Sequence, residues 1–171
     1  MKIVITGHRP SKLNNEWNPM APGICTKYVA AQIKNVMIEN APECVISGMA
    51  LGTDTIAALV ALKLRIPLTV AIPCSNQSSR WTRGARNLWD WIVNASSHVE
   101  MVSTDTYDEC LKTGVNPMQA RNIWMAGQLS RTDILLAVYD GSKGGTQNML
   151  YSCKDMGHEK MFIINPKGYL L

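Results

Sequence analysis

A glycine-rich segment near the end of the chain has the residues of a phosphate site. Residues 139–148 read Tyr-Asp-Gly-Ser-Lys-Gly-Gly-Thr-Gln-Asn and follow a strongly apolar run. Where a strand passes through such a loop into a helix, the free backbone N–H groups of the helix start bind anions. We therefore predict that Gly144, Gly145 and Thr146 bind a phosphate, and Asp140, at the strand end, is a further candidate ligand-binding residue.

A second candidate follows the first apolar run of the chain. Gly7 allows close backbone approach to a ligand, and Arg9 can form a bidentate contact with a phosphate. His8 can act as a proton donor near a ligand, because the unperturbed pKa of histidine lies close to neutrality. The alternative is a turn with a solvated arginine and a structural histidine. These residues open a polar connection with three prolines, residues 8–22, which is either a lid or an irregular surface loop.

A loop of small residues precedes a strongly apolar segment. Residues 46–54 read Ile-Ser-Gly-Met-Ala-Leu-Gly-Thr-Asp. Backbone N–H groups around Ser47 and Gly48 suit a phosphate or a ribose. Asp54 stands in the first turn of the helix that follows, where a carboxylate either caps the helix or binds a ribose hydroxyl.

Three arginines recur every three residues beside an aromatic side chain: Arg80, Arg83, Arg86 and Trp81. An aromatic ring next to cations can stack on a base while the arginines neutralise phosphates. On a helix the same spacing gives a solvated basic stripe, and the tryptophan is then a core residue. Arg121 lies in a later helical pattern and turns either toward the ligand or toward solvent.

Short apolar runs alternating with helical patterns must position these residues. Six runs bounded by Gly, Pro, Asp or Asn predict strands, at residues 2–6, 44–47, 68–73, 98–102, 134–140 and 160–164. Residues 53–65 are apolar nearly all round, which predicts a buried helix that begins at Gly52 or Thr53. This alternation predicts an α/β fold: a Rossmann-like, doubly wound, mostly parallel sheet flanked by helices. The candidate segments then meet at the carboxyl ends of the strands.

Composition narrows the class of protein. The 171 residues are 46% apolar and 18% charged, which predicts one globular domain over residues 1–171. A net charge of +4 without a basic block suits an anionic small ligand about as well as a nucleic acid. Five widely spaced cysteines without a CxxC pair predict a reducing compartment and no metal site. No apolar run is long enough for a membrane span or signal peptide, so we expect a soluble, cytoplasmic protein.

Together these segments resemble the SLOG superfamily, which includes YpsA-like, LOG-like and DprA-like Rossmann proteins. Residues 47–54 are similar to the DprA-type motif Ser-Gly-x-Ala-x-Gly-x-Asp, and residues 144–146 are similar to the LOG-type glycine-rich loop. The length and the order of the segments look closest to the YpsA-like branch.

The resemblance implies a nucleotide or phosphorylated nucleoside as ligand, no cofactor, and a homo-oligomer. LOG-like enzymes are phosphoribohydrolases whose catalytic Glu lies three residues after the loop threonine, and that position is Met149 here. A thioether cannot stabilise an oxocarbenium-like state, so an enzyme would need Asp54 or Asp140 as its carboxylate. DprA-like proteins bind single-stranded DNA. Links of the superfamily to nucleotide signalling and phage conflict imply a bacterial or phage sensor or sequestering protein.

The sequence thus favours a protein that binds a nucleotide or nucleotide-derived signal. The alternatives are a nucleoside 5′-monophosphate N-glycosidase and a single-strand DNA-binding protein. Trp89, Trp91 and Trp124 line either a subunit interface or the core. The candidate ligand-binding residues are Gly7, His8, Arg9, Ser47, Gly48, Asp54, Arg80, Trp81, Arg121, Asp140, Gly144, Gly145 and Thr146.

Overall fold

Six strands form one sheet in which every neighbouring pair is parallel. The computed structural model describes residues 1–15 and 21–170. The strands are β1 (Lys2–Gly7), β2 (Cys44–Ser47), β3 (Leu68–Ile72), β4 (His98–Met101), β5 (Ile134–Val138) and β6 (Met161–Ile164). Their order in the sheet is β4-β3-β2-β1-β5-β6. All six predicted strands are confirmed, and their ends differ from the predicted ones by at most two residues.

Helices connect consecutive strands and cover the sheet. They are α1 (Ile24–Asn40), α2 (Thr53–Lys63), α3 (Arg83–Ala95), α4 (Tyr107–Lys112), α5 (Pro117–Gly127) and α6 (Gly145–Asp155). Short 3₁₀ helices form at Pro10–Lys12 and Gly168–Leu170. The first of these lies in the polar connection after β1, of which residues 16–20 are outside the described part of the chain. No helix among the described residues is long and apolar enough to span a bilayer.

The central strands β1, β2, β3 and β5 are buried on both faces, which is why they read as continuous apolar runs, whereas the edge strands β4 and β6 are largely exposed. In β1, Ile3 and Ile5 pack into a core that includes buried residues of α1, α2 and α3, whereas Val4 packs on the opposite face with residues of α5 and α6. This alternation follows from the two-residue period of a strand. The arrangement confirms the predicted Rossmann-like, doubly wound α/β fold.

The strand order reverses between β1 and β5. From β1 the chain builds the sheet outward through β2, β3 and β4, and β5 and β6 are then added on the other side of β1. Gly7 pairs with Val138 at the ends of these two strands, and the His8 amide donates to the Val138 carbonyl oxygen at 3.1 Å. The loops after β1 and β5 therefore diverge from neighbouring strand ends, which is where doubly wound sheets form a ligand crevice.

The loop after β2 enters α2 through a glycine that no other residue can replace without strain. Gly52 has φ +97°, and a Cβ there would lie 2.6 Å from the His8 carbonyl oxygen. The helix begins at Thr53, as predicted, but ends at Lys63 rather than at Arg65. Arg65 has φ +58°, so the chain has left the helical conformation by that residue.

Candidate functional site

A cavity of about 350 Å³ opens at the carboxyl ends of β1 and β5. Its walls come from the loops after both strands, the first turns of α2 and α6, and α5. The candidate residues that the structure brings together there are Gly7, His8, Arg9, Asp54, Arg121, Gly144, Gly145 and Thr146. The other five candidates, Ser47, Gly48, Arg80, Trp81 and Asp140, do not line this cavity.

The cavity carries an excess of positive charge. Arg9, Lys12, Arg121 and Lys143 line it, and Asp54 is the acidic residue among the described lining residues. Because the walls converge and part of this charge is shielded from solvent, the side chains create a stronger field for an anion than the same charges would on a flat surface. The site therefore favours an anionic ligand.

Lys12 joins two loops of the cavity and was missed by sequence reasoning. Its Nζ donates to Ser142 Oγ at 2.6 Å and to the Lys143 carbonyl oxygen at 3.1 Å. It thereby connects the 3₁₀ helix after β1 to the glycine-rich loop after β5. The residues around Lys12 in the sequence look like those of any surface lysine. The one sequence feature that could have identified it as a site residue is its position, three residues after Arg9.

The first turn of α6 has no side-chain cap. Gly144 is the N-cap, with φ +152°, whereas Thr82 and Asn116 accept backbone N–H bonds at the starts of α3 and α5. A glycine is suited to this φ because it has no Cβ. The N–H groups of the first helical turn have no partner within a helix, so this uncapped end can donate to an anion in the cavity.

In the loop after β2, by contrast, polar groups form hydrogen bonds with one another and with the first turn of α2. Ser47 Oγ accepts from the Met49 amide at 3.2 Å and donates to the Asp54 carbonyl oxygen at 2.9 Å. The Ala50 amide donates to Asp54 Oδ2 at 3.2 Å. The Ser47 hydroxyl and the amides of Met49 and Ala50 thus hold the shape of the loop, while ligand binding by Ser47 and Gly48 stays a prediction.

Arg121 is buried beneath the cavity and fixed by three residues. Its Nη1 donates to the Gly48 carbonyl oxygen at 2.8 Å, and its Nη2 donates to Asn122 Oδ1 at 2.8 Å. Asp54 Oδ2 lies 4.0 Å from Nη1. Burial raises the pKa of Asp54, and the nearby guanidinium opposes that rise. Since only Oδ2 has partners among the described residues, Oδ1 is the oxygen of Asp54 that remains for a ligand.

Buried His8 and half-buried Asp140 form a pair across the two strand ends. His8 Nε2 lies 2.6 Å from Asp140 Oδ1 and 3.1 Å from the Asp140 amide; a protonated Nε2 donates to the carboxylate, whereas an unprotonated Nε2 accepts from the amide. Burial lowers the pKa of His8. Hydrogen bonds from the Ser142 hydroxyl and amide lower the pKa of Asp140, with a further contribution from His8. Asp140 therefore orients His8, which does line the cavity.

Arg80 and Trp81 line a second, smaller cavity of about 160 Å³. Met118 lies in the walls of both cavities. The basic stripe expected from the arginine spacing does not form, because α3 begins at Arg83 and Arg80 lies in the turn before it. Arg80 instead lies 3.7 Å from Asp108, with both side chains largely exposed.

Met149 lies in the core and not in the cavity. It is 1% exposed and belongs to the apolar cluster between the sheet, α5 and α6. Trp89 and Trp124 pack against core clusters, whereas Trp91 is 55% exposed. Within residues 1–15 and 21–170, no group of three or more His, Cys, Asp or Glu side chains is arranged to hold a metal ion.

A parallel, doubly wound sheet with a cationic crevice at its switch point places the protein in the Rossmann-like class of α/β folds. The family model YpsA, described as the YspA SLOG family, matches residues 3–165. The chain belongs to this family, which confirms the resemblance drawn from its motifs.

Relatives and a solved structure agree with this assignment. UPF0398 proteins of Bacillus cereus (strain G9842) and Bacillus thuringiensis (strain Al Hakam) are each 26% identical to this chain over 153 residues, covering 85% of this chain and 78% of theirs. The structure of DNA processing protein A (DprA) from Streptococcus pneumoniae superposes with a TM-score of 0.62 at 22% identity, covering 96% of this chain. This chain spans about half of that protein, 50% of its length, and the likeness is one of fold.

Proposed function

We propose that this protein binds a nucleotide or a nucleotide-derived signal, with the phosphate in the cavity between β1 and β5. The observation that carries the proposal is the convergence of four cationic side chains and the uncapped start of α6 on one cavity at the switch point of the sheet. Backbone N–H groups and cations together form the usual environment of a bound phosphate. In this proposal the protein binds the ligand without turnover and acts as a sensor or as a sequestering protein.

Each element of the cavity has a role in this proposal. The amides at Gly145 and Thr146 donate to phosphate oxygens, and Lys12 and Lys143 neutralise their charge. Arg121 is already fixed by Gly48 and Asn122, so it contributes charge without losing conformational entropy when the ligand binds. Membership of the SLOG superfamily supports a nucleotide over other phosphorylated compounds.

Hydrolysis of an N-glycosidic bond is the second candidate, and one observation favours it. Asp54 lines the cavity, and its Oδ1 has no partner among the described residues. The other carboxylate, that of Asp140, is engaged by His8 and Ser142. If the ligand is turned over, Asp54 is therefore the residue that stabilises positive charge on the sugar.

Single-strand DNA binding is the third candidate, suggested by the name of the DprA structure. Arg83 and Arg86 are exposed on α3, but Arg80 lies before the helix and does not share their helical face. DNA binding through such a surface would weaken steeply with salt, because counterions are released from each neutralised phosphate. A shallow salt dependence supports a small-ligand cavity.

The proposal is tested by incubating the purified protein with nucleoside monophosphates, dinucleotides and cyclic nucleotides. Bound ligand is recovered after denaturation, and free base is measured by chromatography. Lys12→Gln is expected to weaken binding by about tenfold or more, the effect of losing a charge-assisted hydrogen bond. Lys34→Gln is the matched control and leaves affinity unchanged, because Lys34 is exposed and lines a groove between α1 and α2, away from the phosphate cavity.

The three outcomes separate the candidates. Intact ligand whose binding depends on Lys12 and not on Lys34 supports a sensor or sequestering protein. Release of free base that Asp54→Asn abolishes supports the glycosidase. If no nucleotide in the panel binds, or if Lys12→Gln and Lys34→Gln behave alike, the proposed site is wrong.

A further inference from the structure

We infer that the second cavity is a subsite for a nucleobase that carries an exocyclic amino group; this rests on the proposed function of the neighbouring cavity. The subsite, lined by Gln77, Arg80, Trp81, Tyr107 and Met118 among others, is termed the base subsite below. The aromatic lining, an unpaired buried acceptor and the connection to the phosphate cavity each support it.

Two aromatic side chains line this small space. Trp81 and Tyr107 are both half-buried. The backbone that carries them is held: the Trp81 amide donates to the Ser78 carbonyl oxygen at 3.0 Å, and the Tyr107 amide donates to Asn76 Oδ1 at 2.8 Å. Aromatic side chains held in this way provide stacking surfaces for a flat heterocycle.

Gln77 provides the selectivity. Its side chain is 8% exposed, and its Nε2 donates to the Gly48 carbonyl oxygen at 3.0 Å. Because a carbonyl oxygen can only accept, this bond fixes which end of the amide carries the nitrogen. The remaining atom, Oε1, is buried and has no hydrogen-bond partner. A donor N–H on a ligand in this cavity would satisfy it.

The base subsite and the phosphate cavity are connected. Met118 lines both, and the Gly48 carbonyl oxygen accepts from Gln77 on one side and from Arg121 on the other. A volume of about 160 Å³ is smaller than pockets that enclose a whole ligand, which span about 300 to 1,000 Å³. The subsite therefore suits one part of a ligand whose phosphate lies in the larger cavity.

The charges around the subsite agree with this orientation. Arg80 is 82% exposed in its side chain, and its contact with Asp108 at 3.7 Å is a solvent-exposed ion pair, which is a weak interaction. Arg80 is thus available to a second phosphate or to a ring edge. An adenine or cytosine ring can donate its amino N–H to Gln77 Oε1, whereas the same ring without the amino group cannot.

The test compares probes that differ in one amino group. The purine pair is AMP and purine riboside 5′-monophosphate, and the pyrimidine pair is CMP and zebularine 5′-monophosphate. By titration calorimetry we expect the amino-bearing member of at least one pair to bind about tenfold more tightly, the effect of one net hydrogen bond to a buried acceptor. Gln77→Met, which keeps the volume but has no such acceptor, removes the preference.

Tryptophan variants test the stacking surface. Trp81→Ala is expected to weaken both members of the preferred pair by roughly ten- to a hundredfold, because stacking on a base is lost. Trp91→Ala is the matched control, since that side chain is 55% exposed on α3 and lies outside both cavities. Circular dichroism melts show whether each variant is folded.

Failure of the base subsite is distinguishable from failure of the phosphate site. The same pairs are also titrated as nucleosides without phosphate, and inorganic pyrophosphate is titrated alone. Pyrophosphate binding without any amino preference, or a preference that survives Gln77→Met, overturns the base subsite and leaves the proposed function standing. If nucleosides show the amino preference but pyrophosphate does not bind, the proposed phosphate site is overturned and the base subsite is kept. If Gln77→Met does not fold, the wild-type comparison within each pair decides.

Discussion

Arg121 Nη1 lies 2.8 Å from the carbonyl oxygen of Gly48, and its guanidinium fills the space that a side chain at position 48 would occupy. A Cβ at that position would lie 2.7 Å from Arg121 Cζ. The glycine of the loop after β2 thus makes room for a protein cation. This relationship places a fixed positive charge between the phosphate cavity and the base subsite.

Gly48→Ala is expected to displace Arg121 and destabilise the protein by about 1–3 kcal/mol, as overpacking of a tightly filled site does. Gly84→Ala is the control: a Cβ there meets nothing within 4 Å, and the residue lies in the first turn of α3. That substitution should stabilise by up to about 1 kcal/mol, because alanine favours a helix over glycine. Urea unfolding measures both, and equal effects of the two substitutions would contradict this account of Gly48.

Removing the buried guanidinium leaves Asp54 without its cationic neighbour. Arg121→Met should cost about 3–5 kcal/mol of unfolding free energy, the usual effect of breaking a buried charge pair. Adding Asp54→Asn should restore part of that loss, because the uncompensated carboxylate is removed. A double-mutant cycle at pH 7 measures the coupling. Strictly additive effects would show that the 4.0 Å contact of Asp54 with Arg121 has no energetic weight.

The raised pKa of Asp54 predicts the sign of a pH effect. A carboxyl whose pKa is higher in the folded than in the unfolded state favours folding while it is protonated, and that contribution is lost as the pH rises from the unfolded value of about 3.8 through the folded pKa. The difference in stability between Asp54→Asn and wild type should therefore shift in favour of the variant as the pH rises from about 4 to 7. Chemical denaturation at the two pH values is the measurement. A constant difference would mean that Asp54 has an ordinary pKa.

The sheet was predictable from the sequence because its physical signals are local. Strands buried on both faces appear as uninterrupted apolar runs, such as the one that becomes β5, and each run ends at a turn residue. The start of α2 was equally visible, since Gly52 and the apolar residues after it specify a turn and a buried helix. The position of the crevice then follows from the parallel topology alone.

The partners within the site were not predictable, because they depend on contacts between distant segments. Asp140 was a candidate catalytic acid from its place at a strand end, yet it binds His8, 132 residues away. Ser47 resembled a phosphate ligand, yet it holds its own loop. Arg80 was spaced as if on a helix, but Thr82 caps α3 two residues later. A residue type constrains the possible partners, and only the packed chain selects among them.

His8 is expected to make the protein less stable in acid. Its pKa is lowered by burial, so the folded state holds the neutral ring, and the stabilisation present above about pH 6.5 is lost as the pH falls through the folded pKa. The lowered pKa of Asp140 adds a further loss below about pH 3.8. Thermal melts between pH 7 and pH 5 should show a shallower slope for His8→Gln. His98→Gln, at an exposed histidine, should keep the wild-type slope.

Met149→Glu tests whether one substitution in α6 gives this chain a working carboxylate at the LOG-type position, three residues after Thr146. Met149 is 1% exposed among apolar side chains, so a carboxylate there would be desolvated without a partner. The expected cost is several kcal/mol of stability, while Met149→Leu should cost less than about 1.5 kcal/mol.

No free base should appear when Met149→Glu is incubated with nucleoside monophosphates, because the new carboxylate would lie in the core between the sheet and α6. Stability is measured by urea unfolding and base release by chromatography. A stable variant that releases base would show that position 149 reaches the cavity once it is charged. That result would favour the proposed N-glycosidase over the proposed binding protein.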